Sequence, residues 1–178
     1  KYIAYLSTLP YSVKDEAEKE VRVINRLLYK TKGGRGRPFF ADNHLTHIWI
    51  VPVSHGEPEA ITGGNYNEHS VSWSNDRRNI FFISDRSEDP DNNQSNDLWS
   101  VNIDTKKVIK LTENFGTLFQ PACSPDGSMI AFLATTGKIT TNCDSPSEDS
   151  HLYTLPAEGG SPRCLTKSID RRIGNISW

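Results

Sequence analysis

The chain has 178 residues, with 20 lysines and arginines against 22 aspartates and glutamates, a formal net charge of −2. That balance gives no global reason to expect nucleic acid or an anionic membrane as a partner. No apolar run reaches the roughly 20 residues a transmembrane helix needs, and the three cysteines lack any CxxC spacing, which argues against a disulfide framework or a zinc site.

Lys1–Ser7 (KYIAYLS) opens the chain as an apolar strand. Lys1 is not a start methionine, so a longer natural N-terminus is expected. Val13–Val21 (VKDEAEKEV) reads equally well as a short helix or a solvated loop. The basic run Lys30, Lys32, Arg35 and Arg37 is interleaved with Gly33, Gly34 and Gly36. Without a strand-to-helix context it reads as a loop, not a phosphate site. Pro10–Ala41 as a whole is expected to be the most irregular segment.

From here the chain repeats. HIWIVPVSHGEPEAIT (His47–Thr62), DLWSVNIDTKKVIKLT (Asp97–Thr112) and HLYTLPAEGGSPRCLT (His151–Thr166) share one layout. Trp49 and Thr62, Trp99 and Thr112, and Tyr153 and Thr166 are each 13 residues apart. A second landmark alternates with the first. HSVSWSNDRRNIFFISDR (His69–Arg86) aligns with FQPACSPDGSMIAFLATT (Phe119–Thr136), placing Ser74 on Ser124, Asp76 on Asp126, Ile80 on Ile130 and Phe82 on Phe132. Trp73, Cys123 and Trp178 take one equivalent place, at spacings of 50 and 55.

A period near 50, with short strands divided by Gly, Pro and Asp turns, predicts an all-β protein: a β-propeller fragment of about three four-stranded antiparallel blades. The blades are expected near residues 1–64, 65–114 and 115–168, with 169–178 beginning the next. For the third blade the strands are predicted at Phe119–Cys123, Met129–Ala134, His151–Leu155 and Arg163–Thr166. In the tight turn between its first two strands, Pro125 presets φ, Asp126 follows, and Gly127 supplies positive φ. Asn75 and Arg77 replace the proline and glycine in the second blade, so Asp76 or Asn75 is expected to take the strained conformation. Trp49, Trp73, Trp99 and Tyr153 are predicted to be largely buried between blades, with Ile80, Phe82, Ile130 and Phe132.

Three blades are too few to close a ring. Arg172–Trp178 offers a strand to complete the first blade beside Lys1–Ser7. A fragment of a longer chain is preferred over a six-bladed ring of two copies, although dimerisation through open blade edges remains an alternative.

ACSPDGSMIAFLA (Ala122–Ala134) and SWSNDRRNIFFIS (Ser72–Ser84) resemble the W-S-P-D-G blade motif. TolB-like propellers share that motif with the propellers of prolyl oligopeptidase-family serine peptidases. Val21–Gly64, with its RLLYK insert before HIWIV and GEPEAIT, is similar to a stretch of acylaminoacyl-peptidase-like members. The resemblance spans nearly the whole chain. It implies a propeller that caps a peptidase active site and filters peptide substrates. Its partners would be the remaining blades and an α/β-hydrolase domain absent here. The alternative is a TolB-like, non-enzymatic propeller that binds a protein partner.

No G-x-S-x-G nucleophile elbow occurs in this chain. No catalytic, cofactor-binding or metal-binding residue is therefore predicted; the singled-out positions are the structural ones, Trp49, Trp73, Trp99, Cys123, Asp126, Gly127, Tyr153 and Trp178. His44, His47, His55, His69 and His151 read as surface or turn residues, and a metal shared by His44 and His47 lacks a third ligand. Asp89, Asp91 and Asn93 have EF-hand-like spacing, but Gln94 and Ser100 stand where glycine and glutamate are required, so a solvated loop is expected. Cys123, Cys143 and Cys164 read as free thiols, with a Cys143–Cys164 bridge as the alternative in an exported protein.

Overall fold

The computed structural model describes residues 1–8, 30–31, 39–40, 45–90, 93, 95–136 and 149–178. Val13–Val21, most of the basic run, His44, Asp91 and Cys143 lie outside the described residues.

Alternating apolar residues and closely spaced turns make short strands here, and the strands stack as successive antiparallel sheets. The first sheet holds β1 (Tyr2–Thr8), β4 (Thr46–Pro52) and β5 (Glu59–Ala60), in that order. A two-residue ladder pairs β2 (Lys30–Thr31) with β3 (Phe39–Phe40). The second sheet runs in chain order through β6 (Glu68–Trp73), β7 (Asn79–Ser84), β8 (Asp97–Asn102) and β9 (Val108–Lys110). The third does the same with β10 (Thr117–Cys123), β11 (Met129–Thr135), β12 (His151–Pro156) and β13 (Arg163–Cys164). The predicted fourth strand of the third blade is thus shorter than expected and stops before Thr166.

The register repeats with the sequence. Tyr5 opposes Trp49, Phe82 opposes Trp99, and Phe132 opposes Tyr153. On the next ladder Trp49 faces Ala60, Trp99 faces Lys110, and Tyr153 faces Cys164. Trp73 and Cys123 occupy one place, against Ile80 and Ile130.

Side chains alternate across a strand, so β7 serves two interfaces. Ile80 and Phe82 join Ile48, Ile50, Ile61 and Val101 between the first and second sheets. Phe81 and Ile83 face the other way, joining Leu98, Leu118, Ile130, Phe132 and Tyr153 between the second and third. Both faces of the sheet are buried, which explains why NIFFIS is a continuous apolar run.

The tryptophans depart from expectation. Trp49, Trp73 and Trp99, expected to be largely buried, are only half-buried. The fully enclosed aromatic places belong to Phe82 and Phe132, both at 0% exposure. Tyr153 is buried, stacked on Phe132 at 5.7 Å and met edge-on by Phe115. Trp99 keeps an indole edge polar instead: its Nε1 donates to the Ser84 carbonyl, while Arg86 and Lys110 approach its ring. A large ring with an N–H suits the margin of an interface better than its centre.

Arg172–Trp178 does not lie beside β1. It lies against the third sheet instead: the Ile173 N–H donates to the Ser150 carbonyl, just before β12, and the indole Nε1 of Trp178 donates to the Ala122 carbonyl of β10, each at 2.9 Å.

Candidate functional site

Three repeated local devices organise the ends of the strands. The first is the turn after β6 and after β10. Ser74 Oγ donates to Asp76 Oδ1 and accepts the Asn79 N–H; Ser124 Oγ does the same with Asp126 and Met129. The aspartate then accepts the N–H two residues on, from Arg78 or Ser128. These hydrogen bonds, that of Ser124 foremost, hold the exposed Asp126 carboxyl down at about 2, and Asp76 is lowered for the same reason. Gly127 has φ of 77°, as expected; in the second blade it is Arg77, at 60°, and not Asn75 or Asp76 that takes the left-handed conformation. The aspartate is committed to the turn's hydrogen bonds, so strain falls on the next residue whatever its side chain.

The second device explains the 13-residue interval. Thr62, Thr112 and Thr166 each accept a backbone N–H through Oγ1, from Ile48, Leu98 and Leu152, at 2.9, 3.0 and 2.9 Å. The freed hydroxyl proton is directed at a polar side chain: Glu68 from Thr62, Asp97 from Thr112. Thr166 stands 3.4 Å from His151 Nδ1.

In the first blade this latch grows into a buried ionic node between two sheets. Glu68, with no side-chain exposure, receives Arg86 on Oε1 at 2.8 Å and His47 Nδ1 on Oε2 at 2.8 Å. Thr62 Oγ1 adds a third donor at 3.1 Å. The guanidinium lies over the rings of Tyr66, Phe82 and Trp99 at 4.9–5.3 Å. His47 is therefore not a surface residue: it is 1% exposed and engaged by Glu68. Sequence reasoning missed this node. The available signal was a break in the repeat, because the places equivalent to Glu68 hold Leu118 and Ile173.

The third device lies on β6, on β10 and at the equivalent place of the C-terminal segment, which forms no strand. The β6–β7 register skips between His69 and Ser72, and the β10–β11 register between Phe119 and Ala122. Ser70, Gln120 and Asn175 have φ of 56°, 53° and 51°, three repeat-equivalent non-glycine residues in the left-handed region. They share the lining of one opening of about 300 Å³. At the turn end of the same strands a larger cleft of about 740 Å³ is lined by residues that include Tyr2, Val53, Trp73, Arg77 and Cys123.

His69 and Ser70 invite a nucleophilic reading, with His69 Nδ1 at 3.0 Å from Ser70 Oγ. The neighbouring amide argues against it. Asn96 Oδ1 accepts the Leu118 N–H, so its Nδ2 is the group 3.5 Å from His69 Nε2. Nε2 therefore keeps its lone pair, and Nδ1 carries the proton it donates to Ser70. The ring is open to solvent on one side, but crowding by its neighbours desolvates it and lowers its pKa, favouring this neutral form. A protonated Nδ1 cannot take the hydroxyl proton. The pair positions a hydroxyl; it does not activate one.

Other sequence-flagged residues are scattered. Asn93 turns back to Asp85 and Ser95. Among the described residues no group of three or more His, Cys, Asp or Glu is placed to hold a metal ion. Cys123 and Cys164 are free, half-buried thiols.

Comparison with known proteins places this architecture. The chain is 27% identical over 112 residues to the uncharacterized peptidase YuxL of Bacillus subtilis (strain 168), covering 63% of this chain and 16% of that protein. It thus spans about one sixth of the length of that curated relative. A putative TolB from Agrobacterium tumefaciens superposes with a TM-score of 0.53 at 22% identity, over 69% of this chain and 38% of the other. A puromycin-hydrolyzing peptidase of Mycobacterium tuberculosis gives a TM-score of 0.49 at 9% identity, over 71% and 18%. The first of these superpositions speaks to the propeller fold alone. The family described as the dipeptidyl peptidase IV (DPP IV) N-terminal region matches residues 16–137. More than half of the chain lies within that match, and the chain belongs to this family.

Proposed function

We propose that this chain is the part of the propeller that caps the active site of an acylaminoacyl-peptidase-like serine peptidase and limits its substrates to short, unfolded peptides. The family match over residues 16–137 is the observation that carries the reading. The blades, at about residues 1–64, 65–114 and 115–168, would be joined by further blades and by an α/β-hydrolase domain elsewhere in the parent protein. That domain would perform serine acyl transfer on peptide or acyl-peptide bonds. The RLLYK insert and GEPEAIT in Val21–Gly64 support the acylaminoacyl branch.

The test is made on the full-length protein. It should cleave a short N-acetylated peptide, and leave the same sequence uncut when it is held inside a folded domain. Equal cleavage of both would overturn the filtering role. Absence of any serine-dependent hydrolysis, with a folded protein partner bound instead, would favour the TolB-like alternative.

A further inference from the structure

We propose that Ser70, Gln120 and Asn175 form a polar collar that binds the main chain of an extended, uncharged peptide. This deepens the peptidase reading above and rests on it for the choice of ligand. The three residues come from the same place in three successive units, and at each the backbone takes the left-handed conformation that side-chain-bearing residues disfavour. In the two assigned strands that residue also falls where the ladder register skips. β-Bulges of this kind re-aim side chains, and strained non-glycine residues concentrate at binding sites. One such residue is a local accident of packing. Three in repeat, meeting around one opening, place equivalent side chains on a common rim.

The chemistry of the rim selects its ligand. Among the described residues, none that lines the opening is charged, and none brings an aromatic ring to stack on a base or a sugar. A phosphate or carboxylate would lack a cation, and a metal ion would lack a carboxylate. Amide and hydroxyl groups remain, interleaved with Val71, Pro121 and Ile176. Gln120 Nε2 donates to Asn175 Oδ1 at 3.1 Å, which leaves Gln120 Oε1 as an acceptor and Asn175 Nδ2 as a donor. His69 Nδ1–H occupies one lone pair of Ser70 Oγ, so the Ser70 proton is available to donate. Donors and acceptors among small apolar groups complement a peptide main chain, which offers an N–H and a C=O at every residue.

The experiment uses the full-length protein and a blocked hexapeptide, acetyl-(Ala-Ser)₃-amide, bearing a photoreactive diazirine. The label should attach to the segments around Ser70, Gln120 and Asn175. Ser70→Ala/Gln120→Ala/Asn175→Ala should weaken binding about tenfold, the effect of losing two or three modest hydrogen bonds. Gln120→Asn alone should retain most of the affinity. Melting temperature serves as the folding control, since Gln120 and Asn175 are exposed and Ser70 is half-buried. Labelling elsewhere, or binding within twofold of the parent in a folded triple variant, would overturn the collar. Hydrolysis of a single-residue acyl chromogenic substrate is followed alongside. Its absence despite labelled collar segments would overturn the peptidase reading and leave the collar standing.

Discussion

Replacing Glu68 tests the interface between the first two blades most directly. Three donors converge on its carboxylate, from Arg86, His47 and Thr62, and its side chain has no exposure to water. Glu68→Ala leaves a guanidinium, itself only 13% exposed, without its counter-charge. Removing one partner of a buried ion pair costs about 3–5 kcal/mol. Glu68→Gln is the sharper variant, because volume and shape are kept. A glutamine can keep Arg86 on its oxygen, but its NH₂ then faces His47 Nδ1 and Thr62 Oγ1, so the imidazole has to take its other tautomer and the hydroxyl has to turn its proton away. Losing the carboxylate's charge opposite the guanidinium and reorienting two partners costs about 1–3 kcal/mol. Urea unfolding should therefore rank the proteins as parent, Glu68→Gln, Glu68→Ala in falling stability, with the denaturant slope unchanged. If Glu68→Gln proved as stable as the parent within about 0.5 kcal/mol, well short of the roughly 1–3 kcal/mol expected, the charge on Glu68 would not be what holds this interface.

Gly116→Ala should lower stability by about 2–3 kcal/mol in thermal melts, because φ is 149° there and a Cβ would press into the Thr135 carbonyl oxygen. Arg77→Gly should raise stability by about 0.5–1 kcal/mol, relieving a left-handed side chain at the cost of glycine's added chain entropy. The Asp126 carboxyl sits at about 2 in the folded state against 3.8 without its partners. A depressed folded pKa means stabilisation that is fully present above pH 3.8 and is lost as pH falls toward 2. Asp126→Asn should flatten that part of the stability-versus-pH curve, and an unchanged acid limb would show that the turn hydrogen bonds do not persist in solution.

Much of the architecture was readable because it is local. A strand's two faces are set by a period of two, and the aromatic–threonine interval reflects one hydroxyl meeting one backbone N–H across a hairpin: Thr62 to Ile48, Thr112 to Leu98, Thr166 to Leu152. Such contacts recur wherever the spacing recurs, so repetition alone revealed the strand order and the paired positions. The site was less legible. Trp99 and Phe82 are direct cross-strand partners, yet Phe82 is enclosed and Trp99 sits at the margin, under Arg86. Apolar character does not distinguish the two; the neighbouring sheet does.

Residue order by itself determined the blades, their turns and the ladder between adjacent strands, since each depends on groups a few residues apart and on a hydrophobic period. Tertiary structure decided what lies between units. Only the stacking of sheets brings His47 and Arg86 onto opposite oxygens of Glu68, and only the packing of successive units gathers Ser70 of β6, Gln120 of β10 and Asn175 of the C-terminal segment around one opening. Those meetings depend on how far each sheet is rotated from the last, an angle set by the summed packing of two cores and encoded in no single stretch of the chain.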